Sequence, residues 1–116
     1  MKDFNHITIT DEFMKEHIAL ANQYCLMILK DGPNRHTEGV EKLIWEHGRR
    51  NFALREAGLM PIVCPVGDGS EVCGIGIFTV SAEEVKKIYE EDPAVKKGVF
   101  VFEVHPCRGF PGSSLP

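Results

Sequence analysis

The chain has 116 residues, 43% of them apolar and 26% charged, and a net charge of −4 at pH 7. These values fit one globular domain around a single core, and they exclude the basic footprint that a nucleic-acid or anionic-membrane partner requires. No apolar run reaches the about 18 residues of a membrane span, and MKDFNHITIT at the start lacks the apolar core of an export signal, so a cytoplasmic protein without a membrane partner is expected.

Residues 1–9 are polar and unpatterned and read as a loose arm. Residues 10–21 predict a short helix capped by Thr10 or Asp11, with Phe13, Met14, His17, Ile18 and Leu20 near helical spacing, a pattern suited to packing at an edge or interface. The apolar run YCLMIL, residues 24–29, predicts a strand, and KDGPN after it a turn-rich loop. From Thr37 to Ala57 the pattern predicts a long helix closed by Gly58, with Val40, Leu43, Ile44 and Leu54 as its apolar stripe.

Residues 60–66 and 72–80 predict two strands joined through Asp68-Gly69, a strong hairpin signal. Ser81 with Glu84 forms a capping box for the next helix, which turns Val85, Ile88 and Tyr89 inward. That helix stops at Asp92-Pro93, and the last strand, VFVFEVH, covers residues 99–105. The remainder, residues 106–116, is rich in Pro, Gly and Ser and is expected to be extended.

The order is βαββαβ after an N-terminal helix, an α+β chain of the ferredoxin-like, split-βαβ kind. Two helices cover only one face of a four-stranded sheet. Yet YCLMIL, IGIFTV and VFVFEV do not alternate and read as buried on both faces. A second copy packed sheet to sheet is the economical cover, so a homodimer is expected. The segments are residues 1–22 as arm and helix, 23–109 as the domain, and 110–116 as an extended tail.

His47 lies three residues after Ile44 and four after Leu43, within the stripe that faces the sheet. An imidazole there is either a satisfied core group or a general acid–base near neutral pH. Asp92 is its natural partner. Asp-Pro is also a good cap for a short turn, and one carboxylate can serve both ends because it accepts about four hydrogen bonds.

Gly74 and Gly76 face the same side of a strand and leave room for a ligand or for close helix approach. Arg35 and His36, with Arg49 and Arg50, are candidates to attract an anionic substrate, the arginine pair reading more simply as a solvated face. Cys64 and Cys73 would stand opposite each other across a two-residue turn at Asp68-Gly69. Cys25, Cys64, Cys73 and Cys107 nevertheless read as four reduced thiols. The five histidines have no metal spacing, and neither metal nor cofactor is expected.

YCLMILKDGPN, WEHGRRNFALREAGLM, GIGIFTV, SAEEVKKIYEEDPAV and GVFVFEVHPCRG together resemble the YCII-related family over residues 24–109. The resemblance implies a dimeric α/β barrel of ferredoxin-like subunits, with His47 and Asp92 at the positions of the family's helical histidine and DP-motif aspartate. It also implies a small-molecule substrate, since one branch of the family acts on a chlorinated hydroxyquinone. Residues 1–23 extend beyond the family's usual start. Cys64-Pro65-Val66-Gly67 stands where the family more often has Gly-Pro, so the family's substrate is not carried over. Two readings follow: a cofactor-independent proton-transfer enzyme acting on a small cyclic or aromatic substrate, or a non-catalytic ligand-binding dimer in which His47 and Asp92 are a structural pair.

Overall fold

The computed structural model describes residues 3–116. Residues 1 and 2 of the expected arm lie outside the described residues. Thr10 caps helix α1 (Asp11–Ala19), its hydroxyl accepting from the Phe13 amide at 3.1 Å. α1 leads into strand β1 (Asn22–Asp31), which is two residues longer at each end than its apolar run. Helix α2 (Glu41–Glu56), strands β2 (Ile62–Pro65) and β3 (Val72–Phe78), helix α3 (Ala82–Glu90), the single turn α4 (Pro93–Lys96) and strand β4 (Phe100–Gly109) follow. Among the described residues no helix is long and apolar enough to cross a membrane.

The four strands form one antiparallel sheet in the order β2-β3-β1-β4. This is the ferredoxin-like arrangement expected from the element order. One face carries Cys25, Met27 and Leu29 of β1 beside Phe78 and the two glycines of β3, all buried. Met60, Val85, Tyr89 and Ala94 close over that face with at most traces of exposure, so the core lies between the sheet and the helices. The opposite face holds Leu26, Ile28, Ile75 and Ile77, which stay half-buried within one chain.

Three expectations about the turns need correction. α2 does not begin at Thr37: the Thr37 amide donates to Asn34 in a turn, and Gly39 at φ 85° breaks the backbone before Val40 opens the helix. The β2–β3 connection is wider than two residues. Asp68 accepts from the Ser70 amide, Gly69 takes φ 82°, and Val66 donates to Cys73, so Cys64 pairs with Ile75 and not with Cys73. The reactive cysteine pair therefore does not form. Finally, residues 106–109 are not tail but the end of β4, paired with residues 22–25 of β1.

α1 buries no residue, and Phe13, Met14, Ile18 and Leu20 are all exposed. Among the described residues, one side-chain hydrogen bond ties it to the sheet, from Arg108 to the Ile18 carbonyl at 3.3 Å.

Gly76 is also reassigned. The place a side chain would take on it is filled by the Met60 thioether, where an added Cβ would meet the sulfur at 2.5 Å. The glycine therefore serves close packing instead of opening onto a ligand. Gly76→Ala is expected to displace Met60 and cost about 1–3 kcal/mol, the usual range for overpacking. Urea unfolding at neutral pH measures it; an unchanged midpoint would show that the core absorbs the methyl group.

Candidate active site

α2 packs across the sheet and buries one residue, His47, at 6% exposure. The helix spacing that puts Leu43 and Ile44 toward the sheet also puts the imidazole there. Its ring lies against Phe100 of β4, with centroids 4.8 Å apart. On one side Nδ1 is 2.9 Å from Oδ2 of Asp92, and Asp92 is fully buried.

Asp92 holds both of its expected positions at once. Oδ1 accepts from the Ala94 amide at 2.9 Å and the Val95 amide at 3.3 Å, capping α4, with Pro93 preset in the first helical position. Oδ2 is left for the imidazole. Burial raises the carboxyl pKa, but the hydrogen bond and charge of His47 and the two amides outweigh it, and the net direction is down. The aspartate is therefore an anion, and Nδ1 must carry the proton it receives.

Arg50 adds positive charge from the same helix. Its Nε stands 3.9 Å from Asp92 Oδ2, and its guanidinium donates to the Ile88 carbonyl at the end of α3 at 2.6 Å. Half-buried, it does not belong to a solvated face with Arg49, which is exposed and pairs with Glu46. The difference is angular: position 50 lies three residues beyond His47 and shares its flank of the helix, whereas position 49 does not.

Two residues that the sequence reading did not connect to the site complete it. Nδ2 of Asn51 lies 3.1 Å from His47 Nε2, and the Tyr89 hydroxyl donates to Asn51 Oδ1 at 3.0 Å. Burial, then the charge of Asp92, pushes the Tyr89 pKa up, so the phenol keeps its proton. The available signal for Asn51 was its place four residues after His47 on one helical face.

His47 and Asn51 line a cleft of about 480 Å³ between α2 and the sheet. Met27, Leu29, Ile44 and Phe100 give it apolar walls, and Gly74 lies along the same wall. Arg35, His36, Asp31 and Cys73 line it as well. The guanidinium of Arg35 lies over the Phe100 ring, 5.6 Å from its centre, and 3.3 Å from Asp31. Cys73 donates to Asp31 at 3.1 Å; burial and that contact push its pKa up to about 11, so it is a thiol, not a nucleophile, at neutral pH. Arg35 and Gly74 thus share the cleft with His47, while Asp92 stands behind the ring and Gly76 is covered by Met60.

No protein-family model and no curated protein matches the chain. Among solved structures it is similar to 5-chloro-2-hydroxyhydroquinone dehydrochlorinase (TftG) from Burkholderia phenoliruptrix AC1100, in complex with 2,5-dihydroxybenzoquinone. That similarity has 22% sequence identity, covers 71% of this chain and 90% of that chain, and gives a TM-score of 0.48.

A larger hollow, about 620 Å³, lies on the other side of the sheet under the C-terminal residues, lined by Tyr24, Ile62, Ile77, Phe110 and Leu115 among others. It holds neither His47 nor Asp92, and its floor is the half-buried outer face of the sheet. His47 lines the cleft on the helical side instead, with Asp92 behind it.

Because the native Asp92 carboxyl is held below its unfolded value, the stability it supplies is complete above pH ~4 and is lost as pH falls through the native pKa. Asp92→Asn is expected to cost about 1–3 kcal/mol at pH 7 through the weaker bonds to His47 and the α4 cap. It should also flatten the acid limb, because the wild-type chain loses this term below pH ~4 and the variant has none to lose. Urea midpoints between pH 7 and pH 3 test both points; parallel curves for the two proteins would contradict the depressed carboxyl.

Proposed function

We propose that the chain is a cofactor-independent acid–base enzyme acting on a small cyclic or aromatic substrate held in the α2–sheet cleft. The observation that carries this reading is the 2.9 Å bond between buried, ionised Asp92 and Nδ1 of His47, a residue that also lines the cleft. Asp92 fixes the ring as the Nδ1–H tautomer, which leaves Nε2 free of a proton and able to take one. His47 is the proposed general base and acid, and Asp92 orients it. The apolar walls suit a ring, and Arg35, which lies over the same Phe100 ring that His47 packs against, suits an oxygen bearing negative charge. Isomerisation, elimination of a halide and lactone chemistry all consist of proton movements such a pair can serve. The resemblance to the YCII-related family agrees with this assignment of His47 and Asp92.

A second reading rests on one observation. Nε2 is already engaged by Asn51, and a satisfied histidine is what a structural pair would look like. In that reading the cleft binds a small ligand without turning it over.

We further propose that the working unit is a homodimer packed through the outer face of the sheet. The half-buried Leu26, Ile28, Ile75 and Ile77 and the uncovered apolar residues of α1 support it. Light scattering at micromolar concentration should give twice 13.0 kDa. A clean monomer would remove the dimer and leave the dyad reading in place.

The enzymatic reading is tested by a screen of hydroxyquinones, muconolactones and related small ring acids. Turnover should fall by about 10²–10⁴-fold in His47→Ala, the span of general acid–base catalysis. A compound that binds the cleft with equal affinity in both proteins and is never converted would favour the second reading.

A further inference from the structure

The two ring nitrogens of His47 have unequal partners. Nδ1 faces a carboxylate, which only accepts. Nε2 faces the amide nitrogen of Asn51, which only donates, so Nε2 carries a lone pair. The amide is held in this sense by the Tyr89 hydroxyl, which donates to Asn51 Oδ1 at 3.0 Å. The arrangement is complete for a neutral ring and for that state alone. Once Nε2 takes a proton, N–H would face N–H.

The structure contains the remedy. A half-turn of the Asn51 amide presents Oδ1 to the new Nε2–H and turns Nδ2 toward the Tyr89 oxygen, which can accept. The Tyr89 proton then needs another acceptor, and Met60 Sδ is waiting 3.5 Å away. Tyr89, Met60 and Phe78 are fully buried, so water does not supply that acceptor. In both arrangements Nε2 of His47, the facing Asn51 atoms and the Tyr89 proton each have a partner; the weakly accepting Met60 Sδ has one only in the second. We infer that Asn51 and Tyr89 form a reversible hydrogen-bond relay that accommodates His47 in either protonation state. Asn51 is a positioning residue: it turns Nε2 from acceptor to donor without leaving either form of the ring unpaired.

The other groups around His47 do not duplicate this. α2 itself contributes Arg50, which faces Asp92 from 3.9 Å. The α4 cap contributes Asp92, and α3 contributes Tyr89. β4 presents the uncharged ring of Phe100. Asp31, Arg35, His36 and Cys73 line the same cleft, with Asp31 paired to Arg35 and Cys73.

The inference rests on the acid–base reading for its purpose only, so it is tested on the free protein without substrate. Failure of the substrate screen leaves this test intact, and failure here leaves the dyad intact. The experiment is an NMR pH titration following the His47 ring, the Asn51 side-chain amide and the Met60 methyl group. In wild type all three should move with one common midpoint, and the neutral ring should be the Nδ1–H tautomer. In Tyr89→Phe the Met60 response should be lost while His47 still titrates. Asn51→Leu, at a half-buried position, should silence Met60 in the same way and serves if the buried phenol proves necessary for folding. An Asn51 amide that stays still while His47 titrates, or a Met60 response that survives at full size in either variant, would overturn the relay.

Discussion

The bond between His47 and Asp92 joins parts of the chain 45 residues apart in sequence and decides the arrangement around it. Asp92 is fully buried, and a buried carboxylate is costly unless its acceptor sites are filled. Two amides of α4 fill one oxygen and the imidazole fills the other. The aspartate thereby fixes where α3 ends, where α4 begins, and which way α2 lies across the sheet. The cleft is the space left when α2 is held by its middle in this way. The same bond that organises the packing also sets the orientation of the ring, so the proposed acid–base role and the structural one would rest on a single geometry.

Much of this was legible in the residues. Strong local signals produced elements of the right kind in the right order, and the helical spacing of His47 against Leu43 and Ile44 put the imidazole on the sheet side. What failed were readings that needed to know how backbone bonds are shared in loops. Thr37 resembles a cap, but Gly39 breaks the helix after it. Asp68-Gly69 resembles a two-residue turn, but Asp68 closes a local bond with Ser70 and moves the pairing of Cys64 by two positions. Asn51 passed unremarked because an asparagine on a helix is ordinary. Its meaning comes from Tyr89, 38 residues away, and no local pattern encodes that meeting. Arg50 is hidden for the same reason, since its acceptor is the last turn of another helix.

The apolar content of the strands remains only half used within one chain. The face carrying Leu26 and Ile28 is neither polar enough for water nor closed by helices. A charged strip of Lys30, Glu103 and His105 runs beside it, with Lys30 and Glu103 in contact at 2.6 Å. Apolar surface bordered by paired charge fits the interface proposed above, in which such charges would oppose slippage. The uncovered apolar side chains of α1 add to the surface that a single copy leaves unfilled.

The glycine under Met60 carries a consequence that reaches beyond packing. Gly76 gives its missing side-chain volume to a sulfur atom; that sulfur lies beside a phenol, the phenol beside an amide, and the amide beside the imidazole. A chain with a larger residue at 76 must shorten the one at 60, and its tyrosine then has no second acceptor. The relay proposed for the helix would in this sense depend partly on the middle of a strand, at a residue that has no side chain of its own.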